Sequence, residues 1–383
     1  MKHGFAATGI VVSTAKDRGA FFAGDFHSDD QAVQHAYDRM IDDPGLPRTL
    51  ILDAPDRSFE FRAPLDIWQS HCRVTSTGGV TIVPADGYEG PLIASARRDK
   101  TERGEDGLIC DVVLDHLWLN GLNRSLGIKL KHMQLSTIHD LHVRNTNGPG
   151  LWLSDYCIEN LFGNLVLSDE CGSETQPALL LEPESSELLP GVPSLGNITV
   201  NSTRFAGVMI HFPANAALGI GTGAAKVEIT RRQRKIQFSG CFFHAHDRQN
   251  RPLVTVSEAY EIAFNGTQML SWGYDGPVLE MGRPDARWPA GITLISHCFF
   301  GCRPGSDSCG IRTTNVDTGV PCLTVFGNAF GSYERPLQHA VDWGEQPGKL
   351  ASWSANTINT TGTPHMGVLP ADADVRPFAG TGM

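Results

Sequence analysis

The chain has 383 residues, a formal net charge of −11, 41% hydrophobic and 8% aromatic residues, and 41 glycines and 23 prolines to supply many turns. That balance excludes a disordered chain, and the acidic excess argues against a nucleic-acid partner, which needs a basic stripe. It also counts against a polyuronate substrate unless a cleft is locally basic, and no apolar run approaches membrane-spanning length.

The N-terminus, MKHGFAATGIVVSTAKD, has a short apolar stretch without a cleavage signal, so a cytoplasmic protein is expected, with Ile10 to Ser13 as a strand. Ser28 then opens a helix through Asp29 and Asp30 to about Asp42, with Ala32, Val33, Ala36, Tyr37 and Met40 on one face. The next segment, TLILDAPDRSFEFRAPLDI, reads as strand, turn, strand.

From there to about residue 360 the chain repeats. KIQFSGCFFHA at Lys235 returns as TLISHCFFGC at Thr293, and with Phe238 as reference the unit recurs at Phe162, Phe264 and Phe326. Looser copies stand at Leu119, Val143, Val200, Ile295 and Trp353, at steps too uneven for helical repeats. Leu117, Leu141, Ile198, Ile236 and Ile262, two positions earlier, alternate with variable residues, which is strand periodicity. Asn120, Asn201 and Asn265, one position later, suit side-chain ladders between coils, as do Ser239, Ser296 and Ser354. The sequons at Asn197 and Asn265 read as such ladder residues, not glycan acceptors.

A second strand family interleaves with the first, as GIKLKH at 127, GLWLSD at 150, ALLLEP at 178, GVMIHF at 207, LVTVSE at 253 and GIRTTN at 310. Strands of equal rank, each paired with its copy about 4.8 Å away, need no crossover helix. The fold class expected is all-β, a single-stranded right-handed parallel β-helix with a short N-terminal capping helix. The boundaries predicted are a cap at 1–45, a β-helix at 46–360 with long loops near 183–196 and 213–234, and a tail at 361–383.

This pattern resembles the pectate-lyase-like β-helix superfamily, whose members include glycan lyases, hydrolases, inulin fructotransferases, tailspike depolymerases and structural shafts. The helix at 28–42 is similar to the one that closes the N-terminal end of many such proteins. The resemblance implies a carbohydrate substrate and a homotrimer. Fold alone does not choose the reaction.

Long loops on a rigid solenoid are where function concentrates, and the acidic EPESSELLPGVPSLG and the segment running from Phe212 to Lys235 are the longest. In the latter, GIGTG lacks the Gly-Lys-Ser/Thr ending of a phosphate loop, and Lys226 to Lys235 is the strongest basic run. Beside these loops, strand alternation predicts two outward rows: Lys129, Trp152, Leu180 and Met209, then Lys131, Ser154, Glu182 and His211. Asp155 follows at a strand end. Asp155 and Glu182 on neighbouring coils place carboxyl groups roughly 5 to 9 Å apart, a spacing that admits retaining or inverting glycosidic cleavage. Trp152 and Lys129 are then substrate-binding candidates, and Trp152 suits sugar stacking. GLWLSDYCIENLFGN followed by ALLLEP is similar to the two coils that carry an acidic pair in inulin fructotransferases.

A lyase needs a base beside a uronate instead, for which Lys131, His211 and Arg312 are the candidates. His139, Asp140, His142 and Arg144 form a rival outward patch. A non-catalytic glycan-binding shaft and a natural-product isomerase or cyclase are the remaining alternatives, with clustered polar residues near long loops favouring an enzyme. The nine cysteines are odd in number, and Cys298, Cys302, Cys309 and Cys322 beside His297 show no CxxC spacing. Reduced core thiols are expected, with no metal site and no cofactor.

Overall fold

The computed structural model describes residues 9–95, 108–168, 171–173, 175–182, 200–212, 227–230, 233–245, 251–272, 274–284, 289–303, 305, 307–317, 321–332, 336–344 and 349–367. The sequon at Asn197, the Gly-rich 219–223, His246, Asp247, most of both long loops and the tail beyond 367 lie outside them. The chain folds as a right-handed parallel β-helix in two compact units, residues 1–211 and 212–383.

In the first unit one sheet runs through Ile10–Ser13, Thr49–Asp53, Arg73–Ser76, Val113–Asp115, Thr137–His139, Leu161–Gly163 and Arg204–Ala206. A second takes Phe59–Phe61, Val80–Pro84, Leu117–Asn120, His142–Arg144, Val166–Ser168 and Met209–Phe212, and a third takes Leu65–Ile67, Pro91–Ser95, Leu126–Leu130, Leu151–Leu153 and Leu179–Leu181. Two-residue strands from Ile109–Cys110 to Val200–Asn201 make a fourth. The second unit has the same three main sheets, its first strands being Gln237–Ser239, Phe242–Ala245 and Val227–Ile229.

All named strand pairs are parallel and each joins one coil to the next, so inward side chains of equal rank stack. Val74, Leu114, Ile138, Phe162 and Phe205 form one such column in the first unit. Phe162 lies 4.9 Å from Phe205, and in the second unit Phe238 lies 5.0 Å from Phe264, both stacked. Buried amides run beside the apolar columns. Asn328 Nδ2 donates to the Ile295 carbonyl and to Asn356 Oδ1, while Asn328 Oδ1 accepts from the Cys298 amide.

The repeat unit expected as one strand is two, broken by a corner. Left-handed residues mark these corners: Gly78 with Gly79, His116, Asp140, Asn164 and Gly207 in the first unit, and Gly240, Gly266, His297, Gly327 and Ala355 in the second. This explains the registers that sequence alone misplaces. Leu119 and Val143 belong to the second sheet, Val200 to the fourth, and the partner of Ile295 is Val325 instead of Phe326. Of the expected polar ladders, Asn265 accepts from Ser296, whereas Asn120 accepts from Asn145.

The strand at Ile10–Ser13 and the helix at Asp29–Asp42 occur where expected, and Ala32, Val33, Ala36, Tyr37 and Met40 are fully buried. Ser28 makes no side-chain cap. The next two residues act instead: Asp29 accepts from Arg57 and the Glu60 amide, and Asp30 from the Arg62 amide. These bonds fasten the helix to the coil edge, satisfying donors that an open edge leaves unpaired.

Candidate functional site

The third sheet of the first unit holds most of the predicted residues. Lys129 pairs with Trp152 and Trp152 with Leu180, as alternation predicts. The Lys129 ammonium lies 4.2 Å from the Trp152 ring centroid, and Trp152 Nε1 donates to the Glu182 carbonyl at 2.8 Å. The cation therefore occupies a ring face that sugar stacking would use. Lys131, Asp155 and Glu182 are half-buried on successive coils, where the His132 amide donates to the Asp155 carbonyl and the Glu182 amide to the Leu153 carbonyl.

Three placements differ from expectation. Ser154 is fully buried, because the chain turns at the strand end and alternation lapses. GVMIHF belongs to the second sheet, so His211 pairs with Ser168 and does not follow Glu182. The third-sheet strand is Val227–Ile229, inside the basic run. Arg312 lies in the second unit, where Asp342 accepts from its Nε and Asp307 from its Nη2, each at 2.8 Å. Burial opposes its charge, but the buried Cys309 and both carboxylates outweigh this and raise its pKa. A guanidinium so occupied is a structural cation, not a proton acceptor.

The rival patch gains more partners in the fold. On the outer face of the first sheet, Thr75, Asp115 and His139 are of equal rank, and the next residue after each of the last two is the left-handed corner residue, His116 or Asp140. Asp-His on one coil thus stands beside His-Asp on the next. The result is a checkerboard in which each carboxylate has two imidazole neighbours. Asp115 Oδ1 lies 3.4 Å from His116 Nδ1, and Asp115 Oδ2 lies 3.5 Å from His139 Nε2 and 2.6 Å from Arg73 Nη2. His139 Nδ1 lies 2.6 Å from Asp140 Oδ2, and Asn164 Nδ2 donates to Asp140 Oδ1 at 3.1 Å. The two imidazole rings meet edge to face at 6.1 Å.

Asp115 is 1% exposed. Burial pushes its carboxyl up, yet hydrogen bonds from Thr75 and Arg73 and the Arg73 charge hold it below the ordinary value. Bonds from His139 and Asn164 lower Asp140 likewise. Arg73 and His116 are about half exposed and, with Thr49, Ile51, Thr75, Ser76 and Thr77, line a groove of about 350 Å³. Around the corner on the second sheet, Trp118 is 48% exposed and meets His142 edge to face. His142 bonds Ser168, and Arg144 pairs with Ser168 in the same row as His211.

The sequence reading found His139, Asp140, His142 and Arg144 but missed Arg73, Asp115 and His116. The signal was present as DHLWLN at 115 above HDLHVRN at 139, the same corner with its acid and imidazole exchanged.

No family model and no curated protein matches the chain. Among solved structures it is similar to the surface adhesin PfbA of Streptococcus pneumoniae (TM-score 0.55, 10% identity, 91% of this chain and 89% of that one). It is also similar to an alginate lyase from Paenibacillus sp. (TM-score 0.50, 14% identity, 89% and 97%) and to ORF18 of Geobacillus virus E2 (TM-score 0.52, 15% identity, 83% of this chain). The chain spans 60% of the viral protein's length. These likenesses show the right-handed parallel β-helix fold.

Proposed function

We propose that the chain is a carbohydrate-active enzyme that cleaves an acidic polysaccharide by β-elimination at the Arg73–Asp115–His116–His139 face. The observation that carries this reading is the buried Asp115 carboxylate, which lies against two imidazoles and an arginine beside an open groove. The similarity to an alginate lyase supports a glycan substrate, and the similarity to a surface adhesin supports a non-catalytic binding protein as the alternative.

Asp115 orients His116 through Nδ1, which leaves Nε2 to take the proton next to a uronate carboxylate. The C–H electron pair forms the sugar double bond, the glycosidic C–O bond breaks, and the leaving oxygen takes a proton from His139 Nε2. The positive charge that His116 gains is met by Asp115, a preorganised electrostatic stabilisation, while His139 enters the step as the imidazolium, with Nδ1–H held by Asp140, and leaves it as the neutral Nδ1–H ring. The net charge of −11 disfavours holding a polyanion over the whole surface, so neutralising the uronate falls to Arg73.

The test is incubation of the full chain with polyuronates, glycosaminoglycans, neutral glucans and fructans, followed by product mass and ultraviolet absorbance. Unsaturated uronate products are expected. His116→Gln should lower turnover by about 10²–10⁴-fold with an unchanged thermal midpoint, the contribution of a positioned acid–base group. Products that gain water or form an anhydride, lost in Asp155→Asn or Glu182→Gln, would instead support glycosidic cleavage at the third sheet. That second reading is favoured by the Trp152 bond to the Glu182 backbone, which ties those coils together. No product from any polymer would leave glycan binding without catalysis.

A further inference from the structure

The corner column extends by one more side chain, Asn164, beyond the groups that the proton transfers above use. Asp140 and Asn164 hold equivalent corner positions one coil apart, and their side chains meet at 3.1 Å, Asn164 Nδ2 donating to Asp140 Oδ1. The other carboxylate oxygen of Asp140 lies 2.6 Å from His139 Nδ1, and His139 Nε2 looks back one coil to Asp115. Asn164, Asp140, His139 and Asp115 thus form one chain across three successive coils.

We propose that Asp140, steadied by Asn164, is a positioning residue that commits the Nδ1 proton of His139 and leaves Nε2 as its working nitrogen. An ionised carboxylate only accepts, so at 2.6 Å the imidazole nitrogen must be the donor. Asn164 presents an amide and not an acid, so it can only steady Asp140 by donating to it. This fixes both the ring's orientation and its tautomer. The local backbone supports the arrangement, since Asp and Asn are among the few residues with side chains that tolerate left-handed corners at φ of 53° and 49°. Gly207 holds the same corner one coil on, at φ of 61°, so a glycine there is compatible with the fold.

The inference rests on the functional reading only for its catalytic consequence, because the tautomer is measurable without substrate. Long-range proton–nitrogen NMR on the ¹⁵N-histidine-labelled full chain, with His139 assigned through His139→Gln, reads which nitrogen keeps the proton in the neutral ring. The wild type should show Nδ1–H. Asp140→Asn, whose amide can donate to Nδ1, and Asp140→Gly, which removes the acceptor without straining the corner, should shift the ring towards Nε2–H. Asn164→Gly should weaken the Nδ1–H preference. On a polymer that the wild type cleaves, Asp140→Asn should lose roughly 10- to 100-fold in kcat with KM retained, a part of what a positioned acid–base group supplies. An Nε2–H wild type, or an unchanged tautomer in both Asp140 variants, overturns the positioning role whatever the turnover. A wild type that cleaves nothing overturns the functional reading and leaves the tautomer result standing.

Discussion

Asp115 shows how little the identity of a residue says until its neighbours are known. It follows three apolar residues in VVLDHLWLN and reads as an ordinary polar strand end. In the fold it is buried, and its acidity is raised by Thr75 and Arg73 against the opposing effect of burial. The direction sets a pH signature. The folded carboxyl binds its proton more weakly than the unfolded one, so its contribution to stability is complete above the ordinary carboxylate value and is lost as pH falls through the folded value. Urea midpoints of wild type and Asp115→Asn should therefore differ most at neutral pH and converge on acidification. A gap independent of pH would contradict the ion pairing.

The corners are where each coil is decided. Left-handed residues separate the first and second sheets at ten described corners, and five of these are filled by His116, Asp140, Asn164, His297 and Ala355. Ala355 has no polar side chain to bond locally, and its β-carbon opposes φ of 55°. Ala355→Gly should therefore stabilise by about 1 kcal/mol, visible as a higher thermal midpoint, although the unfolded chain's gain in freedom offsets part of this. The buried amide ladder is the counterpart inside the coil. Asn328→Ala leaves the Cys298 amide and the Ile295 carbonyl without its bonds and should cost about 1–3 kcal/mol in chemical denaturation. The helix and the strand at Ile10–Ser13 were legible because periodicity and local composition decide them. The strand breaks were not: in KIQFSGCFFHA the buried positions pass from Ile236 and Phe238 to Cys241, Phe243 and Ala245, a slip of one residue at the left-handed Gly240 that the apolar Phe242 hides in the sequence.

At the scale of the molecule, stacking governs what is reachable. All nine cysteines are reduced, and eight are buried, with only Cys110 half-exposed. Burial pushes Cys157 and Cys302 up to about 12 and Cys298 and Cys322 up to about 11, which removes the thiolate that alkylation needs. Native iodoacetamide treatment should give one adduct, at Cys110, by peptide mass spectrometry. Rapid modification of several sites would contradict the packed core.

By itself the sequence determined the parallel β-helix, the capping helix, the buried thiols and the pairing of Lys129 with Trp152, because alternation and recurrence are local properties that a one-dimensional stack preserves. Tertiary structure alone decided that His211 lies beside Ser168, that Arg312 is bound by Asp307 and Asp342, and that Arg73, Asp115 and His116 join the face of His139. Such meetings depend on register between coils, and register is set by where each corner turns and how long each loop is, which no single repeat records.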